Sequence, residues 1–183
     1  AAADCAPCPA GSSCGTGSTT PTPCAAGTTA PTDGASECSP CAGGSFQPHP
    51  SQEGCLACEG GGFCPEGASA VLPCAAGSYS NATDLAAAAQ CSECPPGHAC
   101  STGSIAPTPC AKGTVQPEPG SASCEPCNPG SYASERGQTD CEPCARGSDA
   151  ALPGLSACTR CPPRPSGGNG STLSHVCDAS YCR

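Results

Sequence analysis

One stretch carries the pattern that decides the fold: Cys38-Ser-Pro-Cys41-Ala-Gly-Gly-Ser-Phe46, followed by another Cys-x-x-Cys pair at Cys55. A glycine stands three residues after Cys41, and an aromatic residue stands five residues after it. Because glycine adopts positive φ angles without steric cost, the pattern predicts a tight turn at Gly44. We expect Phe46 to pack over a disulfide and to serve as the small core of one cysteine-rich module.

The same pattern recurs along the chain. A long unit, C-x2-C-x5-C-x9-C, covers residues 5–24, 55–74 and 91–110, and a short unit, C-x2-C with 13 residues after it, begins at Cys38, Cys124 and Cys141. A glycine follows six cysteines at the third residue: Gly27, Gly44, Gly77, Gly113, Gly130 and Gly147. An aromatic residue follows three of them at the fifth residue: Phe46, Tyr79 and Tyr132. Such repetition predicts a tandem array of small modules.

The composition agrees with an array and excludes a conventional core. The 183 residues include 22 Cys, 24 Gly and 23 Pro, but only 15 Leu, Ile, Val, Phe and Tyr together, with no Met or Trp. A domain of this length would normally bury about 70% of its unfolded surface. Cross-links must therefore replace hydrophobic burial, and loops of this size are each worth up to about 3 kcal/mol. Most enzyme folds are excluded on this ground.

So many cysteines also indicate the compartment. Disulfides persist in oxidising surroundings, so we expect an extracellular protein, secreted or at the cell surface. Two N-glycosylation sequons, at Asn81 and Asn169, agree with this. The net charge of −9, with six basic residues, argues against nucleic-acid binding. No signal peptide, membrane-spanning run or lipidation motif is present, and a start without Met leads us to expect a mature form or a fragment.

The repeated loops resemble a known family. Cys94-Pro-Pro-Gly97 and Cys127-Asn-Pro-Gly-Ser-Tyr132 are similar to the ephrin-receptor-like cysteine-rich repeats of large extracellular proteins, and to the cysteine-rich repeats of tumour-necrosis-factor receptors. The resemblance runs from Cys5 to about Cys161. The Ala- and Pro-rich composition also resembles that of green-algal wall or flagellar-hair (mastigoneme) glycoproteins.

The resemblance implies a disulfide pairing. It joins Cys8–Cys14, Cys24–Cys38, Cys41–Cys55, Cys58–Cys64, Cys74–Cys91, Cys94–Cys100, Cys110–Cys124, Cys127–Cys141, Cys144–Cys158 and Cys161–Cys177. It leaves Cys5 and Cys182 for partners outside the fragment. A crossed pairing within the long units, such as Cys5–Cys14, is the alternative, because spacing alone does not fix connectivity.

We therefore predict a small disulfide-rich fold: an elongated tandem array with short β-ribbons, in which each module contacts mainly its neighbours. One helix is predicted over residues 84–90, with Asp84 as its N-cap. The expected repeat units are 1–54 (long plus short module), 55–90 (long) and 91–157 (long plus two short). Residues 158–183 form a divergent last module, which we expect to continue beyond the fragment.

Other chemistry is less consistent with the sequence. A zinc ribbon needs 15–20 residues between its Cys-x-x-Cys pairs, whereas 13 separate them here. The histidines lie far apart, the carboxylates are scattered, and no strand–helix context surrounds any Cys-x-x-Cys pair as a thiol oxidoreductase requires. We therefore predict no metal, no cofactor and no enzymatic activity.

Two functions remain. The first is a structural or adhesive glycoprotein module of a cell-surface, matrix or flagellar filament, with other copies of itself or other extracellular structural proteins as partners. The second is a receptor ectodomain that binds a protein ligand. Pro-flanked Thr20, Thr22 and Thr108 are candidate O-glycosylation sites, and their alternative role is that of stiff linkers. Covalent glycans are expected, while nucleic acid and direct membrane insertion are not.

Overall fold

The computed structural model describes residues 6–161, in which nine two-stranded antiparallel ribbons accompany one short 3₁₀ helix. Contacts divide the described chain into two compact units. Residues up to Ser92, with Thr102–Ala106, form the first unit, and Glu93–Ser101, with the residues from Pro107 onward, form the second.

Each ribbon pairs two strands of two residues. The strands are β1 (Ser12–Ser13) with β2 (Thr22–Pro23), β3 (Thr28–Thr29) with β4 (Ser39–Pro40), β5 (Ser45–Phe46) with β6 (Leu56–Ala57), β7 (Gly62–Phe63) with β8 (Leu72–Pro73), β9 (Ser78–Tyr79) with β10 (Ser92–Glu93), β11 (His98–Ala99) with β12 (Thr108–Pro109), β13 (Thr114–Val115) with β14 (Glu125–Pro126), β15 (Ser131–Tyr132) with β16 (Glu142–Pro143), and β17 (Ser148–Asp149) with β18 (Thr159–Arg160). The expected short β-ribbons are confirmed.

Every first strand begins four residues after a cysteine, and this cysteine defines the start of a module. Modules 1 to 9 begin, in order, at Cys8, Cys24, Cys41, Cys58, Cys74, Cys94, Cys110, Cys127 and Cys144. Each module ends at the residue before the next of these cysteines, and module 9 ends at Arg160. The long unit of the sequence therefore contains one whole module and the first cysteine of the next, and the array is more regular than its cysteine spacing indicates.

Neighbouring modules are joined through their backbones. Besides the ribbon bond that the first cysteine of the next module donates, three N–H groups at each of six junctions bond to carbonyl oxygens across the junction, at 2.7–3.2 Å. Between modules 2 and 3, for example, the bonds run from Gly27 to Gln47, from Ala30 to Gln52, and from Ser51 to Cys24. Because buried backbone groups must find partners, these bonds satisfy polar backbone groups of the loops where two modules meet.

Modules also contact the next module but one. Gly44 has φ +87°, and a Cβ atom built on it would overlap the backbone carbonyl of Asp84, two modules further on. The same close approach joins Gly11 to Ser51, Gly27 to Gly67, Gly61 to Gly103, Gly97 to Gly137, and Gly113 to Gly154. The expectation of contacts mainly between immediate neighbours is therefore incomplete.

The core consists of sulfur atoms and small side chains. The cysteine that begins a module is at most 5% exposed in modules 1 to 8. The residue six positions after it is buried as well in most modules: Ala30, Gln47, Cys64, Ser80, Cys100, Gln116, Ala133 and Ala150. Buried Gln47 and Gln116 donate to the carbonyl oxygens of Gly54 and Ser123, so each amide spans its own loop.

The predicted helix over residues 84–90 is mostly wrong. Only Ala88–Gln90 form a 3₁₀ turn, and Ala87 before it is extended. The carbonyl oxygen of Leu85 accepts a bond from Cys64 in module 4, so it is engaged outside any helix. The side chain of Gln90, rather than Asp84, accepts the N–H groups of Ala86 and Ala87, at 2.7 and 3.0 Å. Tertiary bonds thus override the helix propensity of alanine.

The aromatic residues also pack differently from the prediction. Phe46 is half-buried and lies against Cys58, Cys64 and Ala68 of the following module. Val115, in the equivalent position of module 7, packs in the same way on Cys127 and Ala133 of module 8. The side chain at this position therefore joins two modules, where the sequence predicted a core within one.

Proline protects the outer edge of most ribbons. The N–H of Cys58 bonds to Gly44 across the ribbon, and neighbouring strand residues alternate in direction, so the N–H of Ala57 points away from β5. Six ribbons have proline at this outward position, where it removes no ribbon bond: Pro23, Pro40, Pro73, Pro109, Pro126 and Pro143.

Candidate functional surface: the turns and outer faces of the ribbons

Each ribbon begins at a glycine turn, and in six of the nine described ribbons a hydroxyl group reinforces the turn. In module 3, the N–H and the Oγ of Ser45 both donate to the carbonyl oxygen of Ala42, at 3.0 and 2.7 Å. Positive φ at Gly44, the third residue, makes this a type II turn. The same hydroxyl bond occurs at Thr28, Ser78, Thr114, Ser131 and Ser148. Sequence reasoning missed these residues, although a Ser or Thr follows the glycine in all six loops.

Nine disulfides cross-link the described residues, and they join the pairs that the resemblance implies. Six bridge cysteines 14 or 17 residues apart, and three, Cys8–Cys14, Cys58–Cys64 and Cys94–Cys100, bridge cysteines six residues apart. Cys14 is bonded to Cys8, so the crossed Cys5–Cys14 link does not form in this structure. Cys161 is described, but Cys5, Cys177 and Cys182 lie outside the described residues.

The outer faces of the ribbons differ in polarity. Two successive ribbons have an apolar pair of opposite residues, Phe46 with Leu56 and Phe63 with Leu72. Opposite residues of an antiparallel pair project to the same side of the ribbon. Leu56 and Leu72 are 51% and 44% exposed, although both are large apolar side chains. In the other ribbons with a described register, at least one residue of the equivalent pair is Ser, Thr or Glu.

Tyr132 lies opposite Glu142 in one of these polar pairs. The Tyr132 hydroxyl donates to Glu142 Oε2 at 2.9 Å, and the Gln138 amide donates to Glu142 Oε1 at 3.1 Å. The hydrogen bond to Glu142, together with the negative charge of this carboxylate, raises the pKa of Tyr132 above its usual value of 10.0. The pair therefore holds the neutral phenol in place.

The predicted glycosylation residues are accessible where the structure describes them. Asn81 and Thr83 of the first sequon are exposed, in the loop between β9 and the 3₁₀ helix. Thr20, Thr22 and Thr108 are also exposed, and Thr22 and Thr108 lie in the outer strands of their ribbons. Asn169 lies outside the described residues. Attachment of glycans at these positions stays a prediction.

Within residues 6–161, no group of three or more His, Cys, Asp and Glu side chains is arranged to hold a metal ion. The same residues contain no helix of the length and apolar character that crossing a bilayer requires. The side chains that the ribbons bring together include the cross-strand pairs Phe46–Leu56, Phe63–Leu72 and Tyr132–Glu142.

The fold and its disulfides define a tandem array of cysteine-rich modules of the extracellular kind. Residues 113–151, which span modules 7 and 8 and enter module 9, match the family model described as tyrosine-protein kinase ephrin type A/B receptor-like. This part of the chain is an ephrin-receptor-like cysteine-rich repeat, as the sequence resemblance predicted. A comparison with curated proteins finds no match to the chain.

Proposed function

We propose that the array is a structural module of an extracellular assembly: a cell-surface coat, a matrix or a surface filament. The observation that carries this proposal is the set of backbone bonds that repeats at six junctions with little dependence on side chains. Such a scaffold keeps its geometry while its surface residues vary, which suits a load-bearing repeat. The proposed role includes no catalytic step.

The chemistry of the surface supports the same role. Accessible Asn81 and Pro-flanked threonines provide positions for a glycan coat. Nine disulfides hold the described residues without a large core, so the fold can withstand an environment outside the cell.

Electron microscopy of the protein, secreted from a glycosylating host, tests this proposal. We expect regular assemblies, formed by the protein alone or with extracts of the surface structure of its source cells. Labelled antibody on intact cells should decorate that structure. Isolated particles under all of these conditions, together with label spread over the plasma membrane, would contradict the structural role.

A receptor ectodomain is the second candidate. It is favoured by the match of residues 113–151 to a receptor-like family model and by the apolar pairs of modules 3 and 4, in which Leu56 and Leu72 are exposed. On this hypothesis the label on intact cells follows the plasma membrane, and a soluble protein ligand competes with an antibody against modules 3 and 4.

A further inference from the structure

Charge and exposed apolar side chains are distributed unevenly along the array. The chain has no Lys or Arg before Lys112, so no Lys or Arg offsets the negative charge of the Asp and Glu residues in this part of the sequence. Modules 3 and 4 contain Glu53, Glu59 and Glu66, all exposed, and no basic residue. The apolar pairs of opposite residues lie in these same modules.

Modules 3 and 4 present an apolar surface that consists of the exposed Leu56 and Leu72 and of the half-buried Phe46 and Phe63 opposite them, which we call the Phe–Leu surface. Phe46 lies opposite Leu56, and Phe63 lies opposite Leu72 in the next ribbon. Phe46 also packs against module 4, so contacts link the two ribbons. Exposed apolar clusters rimmed by polar residues are typical of protein–protein interfaces.

Module 9 has the opposite character. Arg146 and Arg160 outnumber Asp149, so this module has a net charge of +1, and no other module of the described chain has a positive charge. It also contains Leu152, which is 66% exposed. An acidic, apolar surface would bind these basic residues through opposite charge and the exposed leucine through apolar contact.

The outer strand edges add a third observation. Six of the nine described ribbons have proline at the outward N–H position, but Ala57 of β6 and Arg160 of β18 keep this N–H group. Ala57 belongs to module 3, which carries part of the Phe–Leu surface, and Arg160 belongs to module 9. Glu93 of β10 keeps its N–H as well, without an apolar pair in a described register.

We propose that module 9 of one copy binds the Phe–Leu surface of a second copy. The two contacting surfaces differ, so the contact is heterologous, and each bound copy still offers one free surface. Association then continues from copy to copy beyond the dimer, into an open chain or a closed ring of molecules. This inference rests on the proposed structural function and names its partner as the chain itself.

The test uses two surface variants of the full chain, studied by sedimentation velocity over a range of concentrations. One variant, Leu56→Ser with Leu72→Ser, loses the Phe–Leu surface. The other, Leu152→Ser with Arg146→Glu, loses the surface of module 9. The altered leucines are 44–66% exposed and Arg146 is exposed as well, so both variants should keep the melting temperature of the wild type.

We expect the wild type to form concentration-dependent oligomers and each variant alone to remain monomeric. Each lost leucine should raise the dissociation constant about tenfold or more. An equal mixture of the two variants should form a dimer that does not grow, because each variant retains one intact surface. Tyr132 of module 8 occupies the ribbon position that Phe46 and Phe63 occupy in modules 3 and 4, and Tyr132→Ser should leave association unchanged.

A charge reversal gives a second, independent measurement. Arg146→Glu with Arg160→Glu should weaken association, and Glu53→Lys with Glu59→Lys in the partner should restore it. A monomeric wild type, unchanged association of either leucine variant, or a mixture without dimers would overturn the inference. Assembly of these variants with other surface proteins, seen by microscopy, would leave the proposed structural function standing.

Discussion

Modules 4 and 8 build the same ribbon with the cross-link in different places. In module 8, Cys127 bonds to Cys141, immediately before the second strand. In module 4, Cys58 bonds to Cys64, six residues later, and Val71 occupies the position before the second strand. Both modules keep the glycine at the third residue and the strand at the fourth.

The difference shows what defines a module. Because the ribbon and the backbone bonds to the next module survive a displaced bridge, the glycine turn and the buried cysteine set the fold. The second cysteine needs only to lie within reach of the first. Cys64 and Ala133 occupy the same buried position, six residues after the first cysteine, so this position accepts either a bridge or a small side chain.

Reduction of the disulfides should have the largest effect on the stability of both kinds of module. Complete reduction and alkylation should abolish the fold, because too few large apolar residues remain to hold it. Under brief, mild reduction, Cys58–Cys64 and Cys94–Cys100 should resist longest, since both of their cysteines are buried, whereas each long bridge has a half-buried sulfur. Differential alkylation followed by peptide mass spectrometry measures the order, and early loss of these two bridges would contradict it.

Substitution of the turn glycines should have the next largest effect. Gly44→Ala lies in module 3, which has a long disulfide loop, and Gly61→Ala lies in module 4, which has a short one. Each should lower the free energy of unfolding by about 3 kcal/mol or more, because positive φ and overlap with a backbone carbonyl act together. Gly34→Ala is the control: its φ is +83° but nothing lies within 4 Å, so about 1–2 kcal/mol is expected. Chemical denaturation measures all three, and equal losses would show that the contact two modules away is unimportant.

Moving a bridge should have a smaller effect. Ala133→Cys with Cys141→Val should give module 8 the short bridge of module 4, from Cys127 to residue 133. Closing about 7 residues instead of about 15 lowers the stabilisation by less than about 1 kcal/mol in the chain-entropy model. Disulfide mapping and thermal unfolding measure the result, with Cys141→Val alone as the unbridged control. Scrambled bridges would show that the position of the cross-link does matter.

The polar pair Tyr132–Glu142 should have the smallest effect on stability. The pKa of Tyr132 is raised in the folded state, so its contribution to stability is complete below the unfolded value of 10.0 and is lost as the pH rises through the folded value. The stability of the wild type should therefore fall more steeply in this range than that of Tyr132→Phe. Unfolding measured as a function of alkaline pH tests this, and parallel curves would refute it. The apolar Phe63–Leu72 pair of module 4 has no such dependence.

Much of this fold could be predicted because its signals are local. The turn at Gly44 and the buried Cys41 follow from residues close in sequence. The same glycine offset also occurs at Gly11, Gly61 and Gly97 in the long units. The glycines therefore reveal a period of 16 or 17 residues, with module 5 extended to 20, which the displaced bridge obscures in the cysteine spacing.

The remaining features depend on how modules stack, which no local pattern encodes. The carbonyl of Asp84 meets Gly44 from two modules away, and the carbonyl of Leu85 accepts its bond from Cys64 in the preceding module, so neither contact can be predicted from neighbouring residues. The sequence alone predicts Phe46 over the disulfide of its own module, whereas stacking places it on the next module. The Phe–Leu surface was missed because residues 46 and 56 become opposite only when the ribbon forms.

The outward prolines have a consequence for the behaviour of the protein at high concentration. Nine short ribbons expose nine strand edges within the described chain, and exposed edges are templates for cross-β aggregation. Six of these edges lack the N–H donor that a foreign strand would need. The protein should therefore resist edge-to-edge aggregation in concentrated solution, and only three of the described edges, at Ala57, Glu93 and Arg160, keep the donor that a new strand would need.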